Sequence, residues 1–267
     1  MFYLIFASIG IFTGFLMALF GIGGGAFIVP ALDVAFQIAP NSTHPPFQLI
    51  VIGSLCTIIL GSAPKAFAVL TDKTKSKKIA LSLIFSALPF IILASFVATK
   101  LTDNHLRLGF SITIVLIGLW TLFGKTPNEK SSGQPIQPKL YQLIFTGALS
   151  GISSVLFGLG GATILMPLLT MWVGLPILVC LDLSILFVFI TSNVSLVFLT
   201  IAWFKVHELG SIALSDVGLV LILGICAAIT QIIASKKLNK MNGSVRKILL
   251  GCYLIALGIW VTANIYF

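Results

Sequence analysis

The sequence predicts an all-α membrane protein made of two inverted repeats, each a glycine-broken helix hairpin followed by three transmembrane helices. Three observations predict it: an apolar composition, a division into apolar runs, and a repeated glycine and proline element. Of the 267 residues, 58% are hydrophobic and 9% are charged, with a mean hydropathy of +1.13. A soluble domain carries about 25% charged residues because water must solvate its surface. The composition therefore excludes a soluble globular enzyme or a nucleic-acid-binding domain.

The apolar runs have the length of membrane spans. A helix needs about 20 apolar residues to cross a hydrocarbon layer, and six of the eight runs have that length. The first and fifth runs are too long for one span, and glycines and a proline interrupt each of them, so we expect hairpins or broken helices there. The runs occur at about 3–38, 48–70, 79–99, 106–123, 140–178, 181–204, 212–235 and 245–265.

The first and fifth runs contain the same element. Residues 14–32 align without a gap to residues 151–169, at an offset of 137 and with eight identities in 19 positions. The paired identities are Gly14, Leu19, Phe20, Gly21, Gly23, Gly24, Pro30 and Leu32 with Gly151, Leu156, Phe157, Gly158, Gly160, Gly161, Pro167 and Leu169. The sequence therefore predicts an internal duplication, with residues 1–130 as the N-terminal transmembrane repeat and residues 131–267 as the C-terminal one.

Lysine and arginine predict the orientation of the repeats. Residues 71–78, 125–139 and 236–247 hold four, three and five basic residues, and short basic loops favour the cytoplasmic side. The second run then crosses from outside to inside, whereas its counterpart, the sixth, crosses from inside to outside. The halves are inverted in this interpretation and both termini are extracytoplasmic. The alternative is eight plain spans that form two parallel repeats.

The glycine elements are candidate anion sites. No strand-like run precedes either copy and no Lys-Ser/Thr pair follows, which argues against a nucleotide phosphate site. In a membrane, glycines let the backbone leave the helix, and the N–H groups that begin the next half-helix favour an anion. The alternative is that these glycines only allow close helix packing. The candidate backbone positions are Gly21, Gly23, Gly24, Gly25, Gly158, Gly160 and Gly161.

Polar residues of the second and sixth runs are expected to complete the site. Ser54 and Ser62 recur with the same spacing as Ser184 and Ser192, at an offset of 130. Serine can satisfy its hydroxyl on the preceding turn of its own helix. Asn193 does so less easily, and we expect it to be the better ligand.

The other polar residues have open interpretations. Lys65 either reaches the headgroups or balances an anion. Asp182 either caps a helix or carries a proton. No metal site is expected, because His44, His105 and His207 lie far apart in the sequence, and Cys56, Cys180, Cys226 and Cys252 lie singly inside apolar runs.

The repeated element resembles the sulfite exporter TauE/SafE family of integral membrane permeases. The resemblance rests on Gly14-x6-Gly21-x-Gly-Gly-x5-Pro30 and its second copy, which begins at Gly151 and ends at Pro167. It implies a permease for a small sulfur-containing anion, such as sulfite or an organosulfonate, in the cytoplasmic (inner) membrane of a bacterium. The second copy departs from the pattern with Ala162 at the position of Gly25, which puts an equal contribution of the two halves in doubt.

These inferences predict a secondary transporter that exports its anion by alternating access. An anion channel is the first alternative. A membrane-embedded enzyme is the second, disfavoured because no constellation of buried His, Asp and Glu residues has catalytic spacing. The expected partners are the anion and the lipid bilayer, with no nucleic acid and no cofactor. The substrate, the coupling ion and the choice between a monomer and a homodimer are left open.

Overall fold

A computed structural model describes residues 2–20, 24–38, 46–71, 77–124, 138–205, 214–238 and 243–266. Ten α-helices and one π-helical segment account for nearly all of these residues, and the described ranges contain no strand. Seven of the described helices are long and apolar enough to cross a membrane. The all-α membrane fold predicted from composition is confirmed. The elements are α1 (Phe2–Phe20), α2 (Gly25–Ile38), α3 (Phe47–Thr71), α4 (Lys77–Ala98), α5 (Asp103–Phe123), α6 (Leu140–Phe157), α7 (Ala162–Pro167), the π segment (Leu168–Val173), α8 (Ile177–Phe204), α9 (Leu214–Leu238) and α10 (Gly243–Tyr266).

The first apolar run folds as a helix hairpin. The ring of Phe12 in α1 packs edge-on against Phe27 in α2, with 4.8 Å between the ring centroids. Farther from the bend, Phe6 packs against Phe36 at 6.0 Å. Because the pair nearer the bend in α1 is also nearer it in α2, the two helices run antiparallel.

The fifth run folds in the same way. Trp172 of the π segment lies against Phe145 of α6, with 5.4 Å between the ring centroids, and also against Tyr141. Pro167 ends α7, and the chain continues into π-helical turns. A proline cannot donate a backbone hydrogen bond within a helix, and π-helical turns are often found at functional sites.

The helices of the two halves pack in reciprocal pairs. Helix α1 packs on α9, and their counterparts α6 and α4 pack on each other; likewise α3 packs on α9 and α8 on α4. Helix α5 packs on its own counterpart α10. There, a Cβ atom at Gly118 would lie 2.8 Å from Ile255, and one at Gly258 would lie 2.5 Å from Val115. The two glycines and the two contacted residues are related by the same offset of 140, so the packing follows an approximate two-fold relation.

Contacts along the helices fix their directions. Gly147 lies against Leu83, and farther along both helices Gly151 lies against Ile91, so α6 and α4 run parallel. Lys247 Nζ, near the start of α10, donates to the carbonyl of Gly124 just after α5. Helices α5 and α10 therefore run antiparallel.

The described basic residues collect at two ends of the helix bundle. Lys78, Lys139 and Lys247 lie at one end, which we call the basic end. Lys205 lies at the other, because its ammonium sits 5.7 Å from the ring centroid of Phe96 near the end of α4. The helix ends that flank the lysine-rich stretches thus face the same way.

Polar contacts join the helices at the end opposite the basic end. Asp33 of α2 forms an ion pair with Arg107 of α5, and the Arg107 guanidinium lies 5.5 Å from the ring centroid of Phe47. Gln48 Nε2 donates to the carbonyl of Ala98 at 3.2 Å. These contacts hold α2, α3, α4 and α5 together. The repeat boundary predicted at residues 130 and 131 lies outside the described residues, so the division into two domains stays a prediction.

The packing of α1 on α9 predicts a strong difference between two glycine substitutions. A Cβ atom at Gly14 would lie 2.3 Å from the carbonyl oxygen of Ala227, whereas one at Gly218 would meet nothing within 4 Å. We expect Gly14→Ala to lower the free energy of unfolding by about 1–3 kcal/mol through overpacking. Gly218→Ala should leave it unchanged or raise it by up to about 1 kcal/mol through helix propensity. Thermal unfolding of both variants in the same detergent checks this, and equal stability of the two variants would contradict the packing.

Candidate functional site

The second glycine bend has a backbone that glycine adopts readily. Gly158, Gly160 and Gly161 have φ angles of 64°, 65° and 81°, in the left-handed region where other residues are strained. Helix α6 ends one residue before this bend, and α7 begins one residue after it. The glycines therefore allow the chain to turn inside the helix bundle.

The first bend follows the same pattern where it is described. Gly24 has a φ of 74°, close to that of its counterpart Gly161. Helix α1 ends at Phe20 and α2 begins at Gly25, which correspond to Phe157 and Ala162 at the offset of 137. The candidate residues Gly21 and Gly23 lie outside the described residues.

The two bends meet. A Cβ atom at Gly25 would lie 2.3 Å from the carbonyl oxygen of Gly158 and 2.7 Å from the Cα of Leu159. Two backbones approach this closely only where a side chain is missing. The counterpart position, Ala162, carries a methyl group and is buried. The bends are thus in direct backbone contact at Gly25 and are not equivalent there.

A hydrogen bond joins the halves at the same place. Ser54 Oγ in α3 donates to the carbonyl oxygen of Gly158 at 2.8 Å, and the side chain is fully buried. The carbonyl lies after the end of α6, where a helix leaves acceptors without intrahelical partners. Ser54 therefore satisfies a backbone acceptor of the other half, and its proton is used for that bond.

Buried hydroxyls surround the second bend. Ser192 Oγ in α8 lies 3.2 Å from the position that a Cβ atom of Gly160 would occupy. Thr191 Oγ1 lies 3.3 Å from the carbonyl oxygen of Gly160, although its shorter bond goes to Phe187 of its own helix at 2.7 Å. Ser154 in α6 and Ser195 in α8 place their Oγ atoms 3.1 Å apart. The bend therefore lies in a polar environment within an otherwise apolar bundle.

Four buried serine and threonine hydroxyls of the second half lack a hydrogen-bond partner in the described part of the chain. They belong to buried residues of α6, α7 and α8, namely Thr146, Ser150, Thr163 and Ser192. An unpaired buried hydroxyl costs about 1–3 kcal/mol relative to a paired one, so native proteins rarely keep several together. Three of the four lie on residues at the bend: Ser192 beside Gly160, Ser150 with its backbone against Gly161, and Thr163 two residues after Gly161. This hydroxyl cluster offers donors that the rest of the described protein leaves unused.

The other candidates from the sequence lie apart from this cluster or use their donors locally. Ser62 donates to the carbonyl of Ile58, and Ser184 donates to that of Cys180, both at 2.6 Å within their own helices. Asn193 is exposed and donates to the carbonyl of Phe189. Asn193 therefore points away from the buried hydroxyls, contrary to our expectation that it would be the better ligand. Lys65 is partly exposed.

The sequence analysis overlooked Thr146, Ser150 and Thr163. Thr146, Ser150 and Ser154 follow one another at intervals of four residues, which places them on one face of α6. This spacing of small polar residues within an apolar helix could have been recognised from the sequence. Thr163 had no such signal, because its importance depends on where the bend places it.

No group of three potential metal ligands occurs within the described ranges. The four cysteines are all free. The donors near the bend are hydroxyls, which pair with the oxygen atoms of an anion and are poor ligands for a transition metal.

The sequence of the chain is similar to one protein family and to two known membrane proteins. The sequence model of the family described as sulfite exporter TauE/SafE matches residues 6–261. The chain belongs to this family. It is also similar to a probable membrane transporter protein of Bacillus subtilis, with 25% identity over 71% of this chain and 75% of the relative.

A further relative is a probable membrane transporter protein of Methanocaldococcus jannaschii, with 26% identity. That match covers 61% of this chain and 60% of the length of the relative. The TauE/SafE family and both relatives are described as transporters. With seven described helices long enough to cross a membrane, the chain is a multi-pass membrane protein of a transporter family.

The contact between the halves predicts different effects for two serine substitutions. Ser54→Ala removes the side chain that donates to the Gly158 carbonyl, and we expect the free energy of unfolding to fall by about 1 kcal/mol or more. Ser184→Ala removes a hydroxyl that bonds a carbonyl of its own helix, which retains its helical partner, so the loss should be smaller. Thermal unfolding of the purified variants measures the difference. Equal losses would mean that the bond between the halves contributes nothing specific.

Proposed function

We propose that this protein is a secondary transporter that exports a small sulfur-containing oxyanion, such as sulfite or an organosulfonate, across the cytoplasmic membrane of a bacterium. The anion binds beside the second glycine bend, where hydroxyls of α6, α7 and α8 converge. The observation that carries this proposal is the buried, unpaired hydroxyl of Ser192 beside Gly160, together with those of Ser150 and Thr163 on residues next to Gly161. The membership in the TauE/SafE family supports the sulfur anion.

The chemistry of the cluster suits an oxyanion. Hydroxyl and amide donors to a charged acceptor form hydrogen bonds about twice as strong as neutral ones. Ser192 and Thr163 each hold a hydroxyl proton without a partner in the described structure, and the first backbone N–H groups of α7 follow Gly161. Neutral donors compensate the lost hydration of the anion without fixing a permanent charge, so the anion can also leave.

The depth of the cluster fits a site near the middle of the membrane. Ser192 is the sixteenth residue of the 28-residue helix α8. At a rise of 1.5 Å per residue it lies about 22 Å from the first residue of that helix. A transporter that alternates between two sides binds its substrate near this depth.

Alternating access requires two halves that can exchange roles, and inverted repeats provide them. The proposal takes α1–α5 and α6–α10 as such repeats. Two features support the inversion: α5 and α10 run antiparallel although they are counterparts, and α4 runs parallel to α6 while α9 runs parallel to α1. The lysine-rich stretches follow or precede helix ends at the basic end, which is then cytoplasmic.

The hydroxyl site predicts that one substitution weakens sulfite transport without lowering the free energy of unfolding. Ser192→Ala removes an unpaired buried hydroxyl, so we expect the free energy of unfolding without anion to stay the same or rise. The half-saturating concentration for sulfite in proteoliposome flux should rise about tenfold, because a hydrogen bond to a charged group is lost. Ser62→Ala, whose hydroxyl bonds its own helix, is the matched control and should change neither quantity appreciably.

The flux experiment also distinguishes the proposed transporter from a channel. Saturable sulfite flux with counterflow supports a transporter. An unsaturated electrical current would contradict it, as would a Ser192→Ala variant with unchanged half-saturation.

The proposed inversion predicts which side each helix end faces. In a variant without native cysteines, we expect Lys78→Cys and Lys139→Cys to react with an impermeant maleimide only from the cytoplasmic side. His105→Cys, next to the start of α5, should react only from the opposite side. Labelling of intact and of inverted vesicles measures this. Reaction of Lys78→Cys and Lys139→Cys from opposite faces would contradict the arrangement.

A further inference from the structure

A small cavity opens at the basic end. It has a volume of about 40 Å³ and lies between α5, the π segment and α10. Its lining includes Phe20, Thr121, Thr170, Arg246 and Lys247. One water needs about 10–15 Å³ of such volume, so the cavity has room for a group the size of a few waters, which is the size of a small oxyanion.

We infer that this cavity is a second anion site, a vestibule in which Arg246 and Lys247 bind a small oxyanion before it reaches the glycine bends. The inference rests on the proposed function for the identity of the anion. The site differs from the hydroxyl cluster in its residues and its chemistry, because its donors are cations. Phe20, the last residue of α1, places the inner part of the cavity next to the first bend.

Arg246 carries the first part of the argument. Its side chain is only 4% exposed, and Nη2 donates to the carbonyl of Leu238 at 2.6 Å. Its Nε atom is buried and has no hydrogen-bond partner in the described structure. A buried guanidinium ordinarily pairs with an anion, because the loss of hydration is costly. The described residues that line the cavity include no carboxylate.

Comparison of the two repeats shows that the second half lacks the carboxylate that pairs with a cation in the first half. At the opposite end, Arg107 of α5 pairs with the carboxylate of Asp33, and both side chains are only partly buried, at 18% and 19% exposure. The offset of 140 between α5 and α10 takes Arg107 to Lys247. The offset of 137 takes Asp33 to Thr170, which has no charge and donates its proton to Met166 at 2.8 Å.

The two ends therefore differ in net charge, which is zero for the Asp33 and Arg107 pair and positive for the lining of the cavity. The first half provides a cation and a carboxylate of its own, whereas the second half provides a cation, a further cation at Arg246, and a threonine at the place of the carboxylate. A free oxyanion in the vestibule would supply the charge that Asp33 supplies in the other half. In this conformation the ion pair joins α2 to α5 at one end, and the cavity lies at the other.

Anion-dependent thermal unfolding of the purified, delipidated protein in a neutral detergent tests the inference. We expect sulfite and sulfate to raise the unfolding midpoint in a saturable way, relative to sodium chloride at the same ionic strength. Arg246→Gln should weaken the apparent affinity at least tenfold and Lys247→Gln should weaken it less. Lys78→Gln removes an exposed charge at the same end and should leave the affinity unchanged.

Thr170→Asp gives an independent test that does not depend on the folding of the arginine variant. It places a carboxylate at the counterpart of Asp33, so we expect a higher midpoint without anion and an anion response at least tenfold weaker. Thr170→Asn, of similar size and without the charge, should keep the response.

Several outcomes would overturn the vestibule. They are an absent sulfite response in the parent protein, an equal response in Arg246→Gln and Lys78→Gln, or a response to phosphatidylglycerol micelles in place of the free anion, which would make a lipid headgroup the occupant. Failure of the vestibule and failure of the proposed function are separable. Sulfite flux that depends on Ser192 but not on Arg246 would contradict only the vestibule. Sulfite binding that depends on Arg246, without any sulfite flux, would contradict only the proposed transport function.

Discussion

The direct contact between two chain reversals inside the helix bundle is the constraint on which the rest of the structure depends. Gly25 has no room for a Cβ atom because the Gly158 carbonyl lies where that atom would be. Ser54 then binds the same carbonyl from a third helix. These contacts fix α2, α3 and α6 relative to one another across the two halves. The bends are consequently a junction of the fold as well as a candidate binding element.

The junction also explains the uneven use of the two copies. The first bend contributes Gly25 as a contact surface, whereas the second bend has the unpaired hydroxyl of Ser192 beside Gly160. The ends of the bundle also differ. The first half carries the ion pair of Asp33 and Arg107. In the second half, the described residues that line the cavity at the basic end include cations and no carboxylate.

Some features of the structure could be predicted because they depend on neighbouring residues in the sequence, whereas others depend on distant contacts. The hairpins at both glycine elements and the three long helices after each of them could be predicted, because composition, run length and helix-breaking residues are local properties. Gly24 and Gly161 were identified by repetition, and both have the left-handed backbone. Asn193 was chosen for its chemistry alone, and the structure places it on the exposed side of α8, four residues from the carbonyl that it binds. The direction of a side chain around a helix depends on which neighbours the helix acquires, and the residue type does not determine it.

The amino-acid sequence by itself determined that the protein lies in a membrane, that its halves are related, and where the helices break, since lipid tolerates only apolar helices whose backbone bonds are satisfied internally. Tertiary structure alone decided that Gly25 meets Gly158, that the Ser54 hydroxyl binds a backbone carbonyl, and that the Ser192 hydroxyl meets no acceptor among the described residues. The same residue type serves both roles. Which role a serine takes depends on whether an acceptor from a distant segment arrives within hydrogen-bond distance, and that is settled only when the helices pack.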